Sequence, residues 1–236
     1  MTHPALTANA TAVVTGGASG IGLAAAEEFA RRGMRLVLVD QDAAALESVA
    51  PEITQAGAAE VMTSVTDVSD FEAVTALARD VKTRFGGAQV LMNNAGIGRG
   101  SSALGDRAAW AKMLAVNLWG PINGCMAFVP DMIARGFPGA VINTGSKQGI
   151  TTPPGNPGYN VSKVGLRAYT EALAHELRNG ENPQVTAHLL IPGFVHMPMI
   201  GLPEKHPAAW TAAQTIAFFI ESLDRGDFYI LCPDND

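Results

Sequence analysis

Short apolar runs alternate with longer stretches of helical periodicity along the chain. Residues 11–15, 35–40, 60–65, 89–92, 140–143 and 185–190 are short, rich in Val, Ile and Leu, and apolar at consecutive positions. Runs apolar on both faces fit parallel strands covered by helices on each side. Between them, residues 20–32, 43–56, 107–135 and 159–178 carry helical patterns, two of them closed by Gly33 and Gly57. Ser69 to Glu72 reads as a capping box that opens a further helix. A helix at 211–224 and a short strand at 228–231 follow, and residues 193–210, with four prolines, read as irregular. Strand, helix, strand, repeated, predicts an α/β fold: a doubly wound parallel sheet of about seven strands with helices on both faces. No linker-like composition break or repeat interrupts the 236 residues, so one domain is expected over 1–236, with the irregular segment near 193–212 as a candidate lid.

Composition narrows the function classes. Hydrophobic residues make up 47% and charged residues 16%, enough for a sizeable core. The net charge of −6 argues against nucleic acid or an anionic membrane as the main partner. No apolar run is long enough to span a membrane, and residues 1–10 lack the pattern of a secretory signal. Two cysteines, Cys125 and Cys232, are too few for a disulfide framework and read as buried small hydrophobes. A cytoplasmic protein is the expectation. His3, His188 and His206 have no partners at zinc-ligand spacing, so no metal is expected.

Two constellations carry candidate chemistry. The turn Thr15–Gly22 follows the first strand and opens a helix, with glycines at 16, 17, 20 and 22. Glycines permit a tight turn and a close backbone approach to a pyrophosphate, which the helix N-terminus then faces. A plain strand-to-helix turn would look similar. Asp40 ends the second strand about 20 residues beyond that turn, where a carboxylate binds adenosine ribose hydroxyls and repels a 2′-phosphate. Gln41 follows it and no arginine stands in the glycine turn, which favours NAD over NADP. The second constellation is Tyr159 and Lys163, at i and i+4 on one helix face, with Ser146 beyond the fifth strand. A phenol titrates near 10, and a neighbouring ammonium would lower that value. With Ser146 holding a substrate oxygen, the set could move a proton on or off an alcohol. On the pair alone, a surface helix contact is the better account.

Taken in order along the chain, these residues resemble the short-chain dehydrogenase/reductase family in its single-domain form. Its Thr-Gly-x-x-x-Gly-x-Gly corresponds to Thr15–Gly22, its Asn-Asn-Ala-Gly to Asn93–Gly96, and its helix asparagine to Asn117. Its Ser-x-x-Gly corresponds to Ser146–Gly149, its Tyr-x-x-x-Lys to Tyr159–Lys163, and its Pro-Gly to Pro192-Gly193. The resemblance implies a Rossmann-like sheet and a hydride-transferring oxidoreductase that uses NAD. It implies Tyr159 as acid/base, Ser146 as polariser of the substrate oxygen, and Lys163 lowering the tyrosine pKa while binding nicotinamide ribose. It implies Asn117 in a water-linked relay. The cofactor would be held by Gly16, Ser19, Gly20, Ile21, Gly22, Asp40, Asp67, Val68, Asn94, Ala95, Gly96, Tyr159, Lys163, Pro192, Gly193 and Val195. A homodimer or homotetramer would bury the helices at 107–135 and 159–178.

One departure stands out. The family's Pro-Gly-x-Val-x-Thr ends here in Met197, which cannot donate the threonine's hydrogen bond, a loss of about 0.5–1.5 kcal/mol. Met197, Met199, Ile200 and Trp210 form an apolar stretch that either covers substrate or packs a short helix. Gln148 is expected to line the substrate pocket, with Met197 and Met199. His196 is expected to face solvent, His175 to pack or face solvent, and Trp110 and Trp119 to lie in the core or an interface. The substrate expected is an uncharged, hydrophobic secondary alcohol or ketone. The alternatives are an NADP-preferring carbonyl reductase and a non-catalytic dinucleotide sensor on the same fold, which would have no need of Asn117, Ser146, Tyr159 and Lys163 together.

Overall fold

The apolar runs become the strands of one parallel sheet, and their burial shows why consecutive positions had to be apolar. The computed structural model describes residues 2–98, 102–180, 183–196 and 204–233. β1 (Thr11–Thr15), β4 (Val90–Asn93) and β5 (Gly139–Thr144) are buried at every position. β2 (Arg35–Asp40) and β6 (Val185–Ile191) flank them, and β3 (Glu60–Val65) and β7 (Tyr229–Leu231) form the two edges. The order is β3-β2-β1-β4-β5-β6-β7, with every neighbouring pair parallel. Alternate residues of a strand serve opposite cores. Val14, Leu36, Leu38, Met92 and Ile142 face α1 (Gly20–Arg31), α2 (Ala43–Gln55) and α8 (Ala212–Arg225). Val13, Val37, Val39, Leu91 and Val141 face α3 (Phe71–Phe85), α5 (Gly120–Arg135) and α7 (Pro157–Asn179). The chain leaves β3 on one side and returns at β4 beside β1, so the carboxyl ends of β1 and β4 open a crevice where strand order reverses.

Three features depart from the sequence expectation. Asp70, not Ser69, caps α3: its carboxylate accepts from the N–H groups of Glu72 and Ala73, while Ser69 bonds Asp67. The helix expected over 107–135 is broken. α4 (Arg107–Leu114) gives way to a π-helical turn, Ala115–Trp119, before α5 begins. A short helix, α6 (Gln148–Thr151), interrupts the loop after β5. Trp119 is 55% exposed, which excludes the core and leaves the interface of the two places expected for it. Among the described residues, no helix is long and apolar enough to cross a membrane.

Candidate active site

A cleft of about 1120 Å³ opens at the carboxyl ends of the strands and runs from Asp40 at one end to Tyr159 at the other. Its floor is the glycine turn. Gly16 and Gly20 have φ of 63° and 54°, a region only glycine enters without strain. A Cβ on Gly22 would collide with the Gly16 carbonyl oxygen. Ser19 stands at the N-cap of α1 in extended conformation, and its side chain makes no capping bond. The first-turn N–H groups of α1 are thus left for an anion, and this cradle fits a pyrophosphate.

The strand ends beside the turn are tied by side chains. Thr15 Oγ1 accepts from the N–H groups of Asn94 (2.9 Å) and Ala95 (3.1 Å). Asn94 Nδ2 donates to the Thr15 carbonyl at 3.2 Å, and Thr144 Oγ1 donates to Asn94 Oδ1 at 3.2 Å. Beneath them, Asn93 donates to Asn143 at 2.9 Å, and Asn143 to Thr170 at 3.0 Å. Gly124 lets α5 approach this chain, since a Cβ there would run into the Asn93 amide. Thr15, Asn143, Thr144 and Thr170 were not singled out as site residues in the sequence. For Thr15, Asn143 and Thr144 the available signal was a polar residue at the carboxyl end of an apolar strand; Thr170, inside α7, carried no such signal.

At the far end, Asp40 accepts from the Ala18 N–H at 3.4 Å and from the Asp42 N–H at 3.2 Å, which holds its carboxylate beside the turn. Asp67 Oδ1 is engaged by Ser69, and the Val68 carbonyl accepts from Asn123 at 3.0 Å. Ile21 and Val68 also line the cleft.

The opposite end gathers Asn117, Ser146, Tyr159 and Lys163. Asn117 lies in the π turn, fully buried, and its amide grips the backbone of Ile97 from both sides: it accepts from Ile97 N–H at 2.8 Å and donates to Ile97 O at 2.9 Å. π turns inside α-helices commonly mark functional sites. Gly96 is pressed between Asn117 and Lys163, and Lys163 Nζ donates to the Thr144 carbonyl at 2.7 Å. Burial pushes the Lys163 ammonium down to about 8. The Lys163 Nζ stands 5.6 Å from the centre of the Tyr159 ring. Burial pushes the Tyr159 phenol above 10, and a hydrogen bond with Ser146 opposes it. The expectation that Lys163 depresses Tyr159 is therefore corrected here: desolvation prevails, and the opposing pull comes from Ser146. Ser146 Oγ also accepts from the Gln148 N–H at 3.2 Å.

Pro192, Gly193 and Val195 line the cleft after β6, and the Pro192 carbonyl accepts from Lys147 N–H at 3.3 Å. Val195 is buried and pairs with Trp210, so the described parts of the 193–212 segment are joined to each other. His196 is half-buried, not solvent-facing. Met197 and Met199, with Ile200, lie outside the described residues.

Comparison with known proteins agrees with this geometry. The sequence profile of the family described as short chain dehydrogenase matches residues 10–206. Galactitol 2-dehydrogenase (L-tagatose-forming) of Cereibacter sphaeroides is 41% identical over 189 residues, 79% of this chain and 71% of that protein. A short chain dehydrogenase/reductase from Burkholderia phymatum, solved in complex with NAD, superposes with a TM-score of 0.90 at 32% identity, covering 98% of this chain and 90% of that one. An alcohol dehydrogenase from Thermococcus sibiricus, complexed with 5-hydroxy-NADP, superposes at 0.82 with 29% identity over 91% and 90% of the two chains. With the glycine turn, the strand-end asparagines and the Ser-Tyr-Lys cluster in one crevice, this chain belongs to the short-chain dehydrogenase/reductase family of oxidoreductases.

Proposed function

We propose that this chain oxidises an uncharged secondary alcohol, or reduces the matching ketone, with NAD(H) as the nicotinamide cofactor. The observation that carries this reading is the layout of one cleft, with the Asp40 carboxylate at one end and Ser146, Tyr159 and Lys163 at the other. The cofactor, when bound, supplies or accepts the hydride. The chain's own residues do the rest. The open N-terminus of α1 holds a pyrophosphate. Asp40 takes ribose hydroxyls and repels a 2′-phosphate, and Asp67 adds a second negative charge to that wall. Asp40's lining neighbours in the chain, Val39 and Gln41, and those of Asp67, Thr66 and Val68, are all uncharged. Ser146 Oγ holds the substrate oxygen, and Tyr159 gives it a proton or takes one. Because burial keeps the phenol protonated at neutral pH, carbonyl reduction needs no prior ionisation of Tyr159. Asn117 positions Ile97, Gly96 and the cleft wall they form.

The cleft lining around Tyr159 is polar as well as apolar, so the substrate proposed is uncharged without being wholly hydrophobic. We also propose a homodimer or homotetramer: Trp119, Met126, Ile133 and Val161 expose apolar surface on the π turn, α5 and α7. Light scattering on the eluting protein tests the assembly. NADH absorbance across a panel of alcohols and ketones tests the activity, with Tyr159→Phe as control. Turnover that survives this change, or a preference for NADPH over NADH, would overturn the corresponding part.

A further inference from the structure

Gln148 stands two positions beyond Ser146, at the start of α6, and lines the cleft. Its placement is rigid. The Lys147 N–H donates to the Pro192 carbonyl at 3.3 Å, and the Gln148 N–H to Ser146 Oγ at 3.2 Å. Gly149 lets this turn press onto α7, since a Cβ there would sit 2.9 Å from the Lys163 carbonyl oxygen. Gln148 is thereby fixed beside the helix that carries Tyr159 and Lys163.

The amide oxygen of Gln148 is shielded from solvent and accepts no hydrogen bond. Among the described residues, the other side-chain atoms in that state belong to Thr11, Thr75, Asn160, Arg167 and His196, none of which lines the cleft. Native proteins pair nearly all buried polar atoms, because a desolvated acceptor without a donor is costly. An unpaired acceptor next to Ser146 is therefore a place where a ligand's donor is expected.

We propose that Gln148 recognises a second hydroxyl of the substrate, next to the reacting carbinol or carbonyl, so that the substrate is a neutral vicinal diol, polyol or α-hydroxyketone. The inference rests on the oxidoreductase reading of the same cleft. A hydroxyl both donates and accepts, so it satisfies the amide in either orientation. A carboxylate has no proton to donate and would leave that oxygen unpaired. An alkyl group would bury that oxygen further and leave it unpaired. Adjacency of the two hydroxyls is inferred from the 3.2 Å bond between the Gln148 N–H and Ser146 Oγ, which sets the two residues side by side at the cleft.

The test compares matched pairs, 2-butanol with 2,3-butanediol and cyclohexanol with trans-1,2-cyclohexanediol, as kcat/KM with NAD. The wild-type chain is expected to favour each diol by about tenfold or more. Gln148→Met is expected to cut that ratio by about tenfold, chiefly through KM for the diol. Gln148→Ala, a smaller change, repeats the measurement should the methionine variant not fold. A ratio unchanged in the variants, or a wild-type preference for the mono-alcohols, overturns the proposal. Should the wild-type chain turn over neither alcohol, the hydride-transfer reading fails separately. Calorimetric titration of the diols into the NADH-loaded protein then decides the proposal: tighter binding to wild type than to Gln148→Met supports it, and equal binding overturns it.

Discussion

The N-terminal segment is fastened to the sheet by a contact whose strength depends on pH. His3 is buried, and its ring lies edge-on to His188 at 5.8 Å. His3 Nδ1 accepts from the Ala5 N–H at 3.3 Å, which assigns the neutral ring's proton to Nε2. That nitrogen is 3.4 Å from Thr186 Oγ1, which is 2.8 Å from His188 Nε2. His188 Nδ1 is 2.8 Å from the Asp227 carbonyl, which assigns its proton to Nδ1. The His3 N–H in turn donates to Asp224 at 2.8 Å. Both neutral rings are thus satisfied, whereas a proton on His3 Nδ1 would face the Ala5 N–H. Burial and His188 bring His3 from 6.5 down to about 4 against the pull of Asp224, and burial also lowers His188. The folded values lie below the unfolded ones, so the unfolded chain binds more protons between them. This stabilisation is complete above about pH 6.5 and is lost as pH falls toward 4. The full shift corresponds to about 3 kcal/mol, and solvent screening near the chain end halves it to roughly 1.5 kcal/mol, or about 4 °C in Tm for a chain of this size. The assay is Tm against pH for wild type and His3→Gln. Wild type is expected to exceed the variant at pH 7.5 and to lose about 4 °C of that lead by pH 4.5. Parallel curves for the two proteins would refute the reasoning.

The remaining predictions concern the cleft. With Tyr159 raised by burial, alcohol oxidation should climb with pH from neutrality, where little phenolate exists, while carbonyl reduction stays flat until the phenol ionises; a flat oxidation profile would count against Tyr159 as the base. Asp40→Ala should weaken NAD binding by about tenfold or more and raise the NADP-to-NAD ratio of kcat/KM, since hydrogen bonds to a charged group contribute about 1.5–3 kcal/mol; an unchanged ratio would show that selection lies elsewhere. Asn117→Ala should strip both bonds from half-buried Ile97, costing roughly 2–3 kcal/mol in urea unfolding and lowering kcat, whereas a loss confined to stability would make Asn117 purely structural. Gly124→Ala should drive a methyl into the Asn93 amide and destabilise the chain by about 1–3 kcal/mol, measured by the same unfolding.

Most of the strand boundaries were readable because a strand covered on both faces must be apolar at every position, a local signature. The elements that escaped depend on partners distant in sequence. Apolar spacing runs unbroken from 107 to 135, so nothing local marks the π turn; Asn117 is instead held by Ile97, on the loop after β4, with Ser162 of α7 3.5 Å from its amide. At the start of α3, Ser69 and Asp70 are both good caps, and the engagement of Ser69 by Asp67 leaves the position to Asp70. The site residues could be named from their order, yet the sequence could not say that Asn94 and Thr15 bind each other, or that Lys163 is held by Thr144.

The chain's own letters were enough to specify the alternation of strands and helices, the glycine turn, and which polar residues meet at the carboxyl ends of the strands, because these follow from side-chain period and backbone freedom. Only the folded structure decided the state of those residues. Tyr159 is raised where a neighbouring ammonium alone would lower it, Gln148 keeps an unpaired oxygen, and His3 gives up its proton. Each outcome depends on how much water is excluded and which groups remain within hydrogen-bond reach, and both are set by packing between segments far apart in the chain.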